Sequence, residues 1–233
     1  QAGIPVTFVG HPLVKASEPY SDKDVCYKKL KLDPSRPVLA LLPGSRNQEI
    51  NRLLPVILNS VKLLQQHQPD LQYVMVRAES IAQTDLGTDL PITITDDLKT
   101  TLSISQAAIC TSGTVTLEVA LFKVPLLIIY KISFLTYIIG RMVINLKHIG
   151  LCNLVTDQVV SKEFIQSAAT AYNISEEAIR LLSNKQYRQQ TLTRLEQLRD
   201  TLSKSSNNKT VAQLVEKLVE KKGVVFVSGE KKP

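Results

Sequence analysis

Tryptophan is absent, and aromatic residues make up only 5% of the 233 residues. A chain so poor in rings spells no basic-aromatic platform, which argues against nucleic-acid binding despite a formal net charge of +7. Cysteine is equally sparse: Cys26, Cys110 and Cys152 are odd in number, widely spaced and free of any C-x-x-C pattern. Neither a disulfide framework nor a thiolate metal site follows, and a reducing, cytosolic compartment suits such usage. His11, His67 and His148 are as scattered. Asp96 and Asp97 are adjacent rather than spaced as D-x-D, and they stand before "LKTTL", where helix capping accounts for them. Long hydrophobic runs are missing too. The most apolar stretch, "VPLLIIYKISFLTYIIG", is broken by Pro125 and Lys131, so it reads as strand then helix rather than a membrane span. No signal-peptide pattern opens the sequence.

What is present begins with 44% hydrophobic residues, enough for a sizeable core. Short β-rich runs, "IPVTFV", "PVLALLP", "LQYVMVR", "PITIT", "AAICT" and "PLLIIY", alternate with amphipathic segments. The latter cover Asp22 to Leu30, Gln48 to Gln66, Leu98 to Ser105 and Thr114 to Phe122. Continuous apolar strands alternating with helices predict βαβ units and a doubly wound parallel sheet, an α/β fold. Pro55 should kink or divide the second helix. Beyond about residue 160 the pattern becomes helical and polar, and "SKSSNNKT" reads as a loop between two late helices. "GVVFVSGEKKP" reads as a short strand or a flexible tail. Lys221, Lys222, Lys231 and Lys232 give the charge a C-terminal bias. A solvated basic tail accounts for part of the excess, and the rest favours phosphates or an acidic membrane surface.

In open α/β sheets ligands lie beyond the carboxyl ends of the strands. Two junctions there are spelled for anions. In "LLPGSRNQEI", Gly44 permits close backbone approach, the helix start offers N–H groups and Arg46 adds a forked cation. Ser45 and Gln48 also form an S-x-x-Q capping box, which would explain the spelling without Arg46. In "CTSGTVTLE", Ser112, Gly113 and Thr114 offer N–H and hydroxyl donors. With Thr114 as N-cap, Glu118 falls at N4, out of capping-box register, where its carboxylate could accept two hydroxyls of a ribose.

These pieces, in order, resemble the C-terminal half of lipid-A-disaccharide synthase, a bacterial glycosyltransferase family. The resemblance is carried by "VGHPL", "LLPGSRNQEINRLLP", "TSGTVTLEVAL", "YKISFLTYIIGRMVIN", "CNLV" and "EFIQ". It implies the C-terminal, Rossmann-like half of a GT-B fold followed by C-terminal helices. It further implies an inverting transfer of 2,3-diacylglucosamine from its UDP donor to 2,3-diacylglucosamine 1-phosphate (lipid X), releasing UDP. Carried over, Gly44, Ser45 and Arg46 with Ser112, Gly113 and Thr114 meet the diphosphate. Arg46 stabilises the leaving group, Glu118 holds the ribose, and Asn153 and Gln166 line the donor pocket. No cofactor or metal is implied, and the general base is left unassigned. His11 is expected to be structural or to border the cleft. The sequence departs from the family pattern at Val14-Lys15-Ala16, at Leu151-Cys152-Asn153 and at Lys162.

The expected organisation is a donor-binding domain over 1–166, a helical extension over 167–222 and a flexible tail over 223–233. The acceptor-binding N-terminal domain is expected to be missing, so the chain should be inactive alone. The resemblance places it in the cytoplasm, peripheral at the inner face of the bacterial inner membrane, and leaves a homodimer open. Two other readings stand beside it: a UDP-sugar epimerase of the same architecture, and a non-catalytic membrane-surface module built on "FLTYIIGRMVINLK".

Overall fold

The computed structural model describes residues 8–77, 89–132, 147–203 and 211–222. Most of the "IPVTFV" strand, nearly all of the "FLTYIIGRMVINLK" segment and the tail from 223 lie outside these residues.

Six strands form one sheet: β1 (Val38–Leu42), β2 (Gln72–Val76), β3 (Ile92–Thr95), β4 (Ala107–Thr111), β5 (Leu126–Tyr130) and β6 (Lys162–Ile165). Their spatial order is β3-β2-β1-β4-β5-β6, and every pairing is parallel. The five strands β1 to β5 match apolar runs in the sequence. β6 escaped that reading because Lys162 and Glu163 fill half of its four positions. As an edge strand with one neighbour it can carry them.

The helices alternate with the strands. They are α1 (Leu13–Ala16), α2 (Lys23–Leu30), α3 (Asn47–His67), α4 (Leu98–Ile104), α5 (Thr114–Leu121), α6 (Leu151–Thr156), α7 (Ala171–Ser183), α8 (Lys185–Ser203) and α9 (Val211–Lys222). A single 3₁₀ turn, Gln166–Ala168, follows β6. Successive strand residues point to opposite faces, so each face has its own core. Leu39, Leu41, Ile109 and Ile129 meet α3 and α7 on one side. Ala40, Leu42, Cys110 and Ile128 meet α5, α6 and α8 on the other. A smaller cluster joins Cys26, Tyr27 and Leu30 of α2 to Val38, Val74 and Ile104.

Pro55 does not divide its helix, since α3 runs unbroken from Asn47 to His67. Leu53, Ile57, Val61 and Leu64 on its inner face are wholly buried. At roughly 1.5–3 kcal/mol each, their burial outweighs the roughly 3 kcal/mol that an interior proline costs.

Of the helices beyond 166, expected as an extension, α7 and α8 pack into the two cores. Ile174, Ala178 and Leu181 of α7 belong to the first core, and Leu195, Leu198 and Leu202 of α8 to the second. Arg199 of α8 closes the chain on itself. Its Nη1 donates to Ser17 O at 3.0 Å and Leu121 O at 2.6 Å, and its Nη2 donates to Val14 O at 3.3 Å. These carbonyls lie in or just beyond α1 and in the last turn of α5, where intrahelical donors run out. A guanidinium with several donors in a fixed fork suits such a cluster. Replacing Arg199 with Met should lower stability by about 2–3 kcal/mol, because three acceptors lose a charged donor. Chemical denaturation checks it, with Arg199→Lys expected to recover only part.

Tyr73 is 1% exposed, and its hydroxyl has no hydrogen-bond partner among the described residues. Burial pushes its pKa up to about 12. An unsatisfied buried hydroxyl costs stability, so Tyr73→Phe should leave the melting temperature unchanged or raise it. A clear drop in melting temperature would reveal a partner for the hydroxyl.

Candidate functional site

The chain leaves β1 and β4 in divergent directions although the two strands are adjacent, with Leu42 opposite Cys110. This is the position at which a doubly wound sheet opens a crevice. A cleft of about 420 Å³ lies there. Gly44, Ser45 and Arg46 border it from the β1 side, and Thr111, Ser112, Gly113 and Thr114 from the β4 side. The two anion-type junctions therefore meet in one place.

Gly44 is required twice over. Its φ of +112° lies in the region that side chains avoid, and a Cβ would sit 2.9 Å from Glu49 Oε2 and 3.2 Å from Thr111 Oγ1. The turn can close only without a side chain.

The capping box expected at Ser45 and Gln48 is out of register. Arg46, in extended conformation, is the N-cap of α3, and its own side chain does not cap the helix. The N–H groups of Asn47 and Gln48, in the first turn, have no partner within the helix, and the residues on either side of them, Arg46 and Glu49, border the cleft. The Arg46 side chain is 81% exposed and pairs with Glu49, Nη1 to Oε1 at 3.0 Å. A solvent-exposed pair of this kind contributes about 1 kcal/mol at most, so an anion can compete for the guanidinium.

The second helix is also shifted from its expected start. Gly113 is the N-cap of α5, which makes Thr114 N1 and moves Glu118 to N5, beyond the first turn. Ser112 is not the donor anticipated. Its N–H is engaged by Ile129 O at 3.2 Å and its hydroxyl donates to Ile149 O at 3.1 Å. The donors facing the cleft at this helix start are the N–H groups of Thr114 and Val115. Glu118 is half-buried and does not border the cleft. Burial alone raises the pKa of its carboxyl, which leaves a carboxylate that would gain from new donors.

Asn153 and Gln166, expected at the donor pocket, lie outside the lining of this cleft. Asn153 is wholly buried. Its Oδ1 accepts from Val160 N at 2.8 Å and Ser161 N at 2.9 Å. Its Nδ2 donates to Ser161 O and to Glu163 Oε1, each at 2.7 Å. That exhausts an amide's capacity. Gln166 has a left-handed φ of 52°. Its side chain pairs with both backbone groups of Ile132 at 3.2 Å, joining the exits of β5 and β6. His11 sits against the end of α8, its N–H donating to Leu202 O and its Nδ1 accepting from Leu13 N.

Three polar residues of the cleft escaped the sequence reading: Glu49, Arg77 and Asp96. Arg77 follows β2 as Arg46 follows β1, so the rule that strand ends face the crevice would have found it. Asp96 was grouped with Asp97 as a cap. Only Asp97 caps α4, accepting from Thr100 N at 2.9 Å, while Asp96 borders the cleft. Among the described residues, no group of three or more His, Cys, Asp or Glu side chains converges to hold a metal ion. No helix among them is long and apolar enough to cross a membrane.

The chain is similar to known proteins at two levels. Against solved structures, it resembles WaaG, described as a glycosyltransferase involved in lipopolysaccharide biosynthesis. The TM-score is 0.53 at 13% identity, over 92% of this chain and 55% of that one, a likeness of fold. In sequence it is 41% identical over 220 residues to lipid-A-disaccharide synthase of Coxiella burnetii (strain Dugway 5J108-111), covering 93% of this chain and 58% of the relative. It is 41% identical over 226 residues to the enzyme of that name from Trichlorobacter lovleyi, covering 94% and 59% respectively. The chain thus spans somewhat over half the length of the curated relatives it matches. The family model for lipid-A-disaccharide synthetase matches residues 1–218, and the chain belongs to that family.

Proposed function

We propose that this chain is the donor-binding part of a lipid-A-disaccharide synthase, and that its cleft holds the UDP of UDP-2,3-diacylglucosamine. The whole enzyme would transfer that sugar to lipid X with inversion, at the inner face of the bacterial inner membrane. One observation carries the reading: two glycine turns at the switch point of the sheet bring two helix N-termini and Arg46 to a single cleft. Helix starts with open N–H groups and an exposed guanidinium match a diphosphate. As the glycosidic bond to the donor breaks, charge grows on the departing UDP. Preorganised donors act most strongly on such developing charge, and Arg46 with the α3 and α5 starts would supply them. This stabilisation needs no divalent ion. Glu118, a half-buried carboxylate one turn into α5 and beyond the cleft's lining, would accept the vicinal hydroxyls of a ribose that extends past the cleft along α5.

Calorimetry in EDTA should detect UDP binding to the folded chain, with ADP binding more weakly. Absence of UDP binding by a folded sample would remove this reading. Arg46→Ala should weaken UDP about ten- to a hundredfold, the equivalent of a charge-assisted hydrogen bond of roughly 1.5–3 kcal/mol. The helix should survive, since the Arg46 side chain does not cap it.

Glu118 gives a pH test. Ribose hydroxyls donate to the ionised carboxylate, so binding should weaken as pH falls through its raised pKa. Diphosphate protonation contributes its own pH dependence. The comparison is therefore with 2′-deoxy-UDP, for which the additional acid-side loss should be smaller. Equal losses for the two ligands would remove Glu118 from the ribose site.

Transfer itself should need more than this chain. Donor and acceptor must be held together for the orientational gain, and we place the acceptor wall in the part of the relatives that this chain does not span. An assay with UDP-2,3-diacylglucosamine and lipid X should give no disaccharide from the chain alone. Turnover that His11→Ala abolishes would show a complete catalytic centre here.

A further inference from the structure

We infer that Glu163, on the edge strand β6, is a positioning residue for the anion-binding turn, acting through the backbone of Ile149 and the hydroxyl of Ser112. The inference deepens the proposed diphosphate site and rests on it for its ligand, though not for its geometry.

The Glu163 carboxylate accepts from two consecutive backbone N–H groups, Ile149 N to Oε2 and Gly150 N to Oε1, each at 2.9 Å. Its Oε1 also accepts from Asn153 Nδ2 at 2.7 Å. Asn153 is itself fixed by Val160 and Ser161. Charge-assisted bonds of this kind are among the strongest available to a folded chain. The segment they hold is also pressed on the sheet, since a Cβ at Gly150 would overlap Ile128 Cδ1. Position 149–150 is therefore defined by both packing and charge.

From there one bond leads to the cleft. The carbonyl of Ile149 accepts the hydroxyl of Ser112 at 3.1 Å, 37 residues away in sequence. Ser112 is followed by Gly113, the N-cap of α5, and no atom of the described residues lies within 4 Å of where a Gly113 Cβ would be. The turn is held instead by hydrogen bonds: Ser112 N–H on Ile129 O, Thr116 N–H and hydroxyl on Gly113 O, and the Ser112 hydroxyl on Ile149 O. Of these, the Ser112 tether is the one that ties the start of α5 to the segment Glu163 holds. Donors aimed at developing charge act through preorganisation, so a small displacement is costly. Asn153 thus contributes to the site from the core, by orienting Glu163.

A carboxylate that only capped α6 would affect 149–150 and stop there. Two measurements separate the alternatives. The first is amide exchange in the free chain, read by NMR at Ser112 and Thr116, whose N–H groups bond to Ile129 O and Gly113 O. Glu163→Gln should accelerate exchange there as well as at Ile149 and Gly150. Acceleration confined to 149–150 would overturn the inference, whether or not any nucleotide binds. Should Glu163→Gln fail to fold, Ser112→Ala cuts the tether from its other end. It should accelerate exchange at Gly150, and an unchanged Gly150 would count against the tether.

The second measurement is a double-mutant cycle on UDP binding. Glu163→Gln should weaken UDP about tenfold, on the scale of a lost charge-assisted bond, while uridine affinity stays unchanged. Ser112→Ala should produce a loss of similar kind, and the double variant should be no weaker than the weaker single. Losses that multiply, or that fall equally on uridine, would overturn the positioning role. A wild-type chain that binds no UDP yet shows the coupled exchange would sink the UDP reading and leave the tether standing.

Discussion

The pairing of β1 with β4 is the constraint on which the rest depends. From β1 the chain builds outward through β2 to β3, then returns to lay β4 on β1's other side before continuing to β5 and β6. Because the two halves leave the centre in opposite directions, the chain leaves β1 and β4 on diverging paths, and a crevice opens at their carboxyl ends. The crevice is a topological consequence and needs no dedicated wall. The closeness of its margins is measured by Gly44, where a Cβ would meet Thr111 Oγ1 of β4 and Glu49 of α3 together. Sheet register, glycine and helix start are one geometric fact.

The two margins of the crevice differ in stiffness. On the β4 side, both donors of Ser112 are engaged, and hydrogen bonds run back through Ile149 and Glu163 to a wholly buried Asn153. On the β1 side, Arg46 stands in solvent with a single surface ion pair. On the proposed reading, a fixed set of N–H dipoles opposite an exposed cation would suit a leaving group whose charge rises during reaction. The dipoles would need no reorganisation, and the cation could follow the charge.

Helices α7 and α8 complete both cores and carry the chain back to its first described residues. Arg199 marks the return, binding carbonyls near the ends of α1 and α5. The packed unit that carries the cleft therefore includes residues to at least 203. A boundary at 166 would strip each face of the sheet of an apolar cover.

Much of this was legible in the sequence. Apolar runs of four to seven residues gave five of the strands: four are buried along nearly their whole length, and β3, half-buried at the sheet's end, still spells "PITIT". Gly44 announced close backbone approach, and the ordered motifs identified the family. Hydrogen-bond partners were not legible. Ser45 and Gln48 look like a cap, yet the N-cap falls at Arg46, since the helix starts where the strand releases the chain. Ser112 looks like a phosphate donor, yet Ile129 and Ile149 hold both its donors. Asn153 looks like a pocket residue, yet its partners lie within the core. β6 is half charged and shows no apolar run. Local spelling sets period, turns and apolar faces, which are properties of neighbours in sequence. Which polar groups end up opposite one another depends on crossovers that join distant segments, and only the folded sheet decides that.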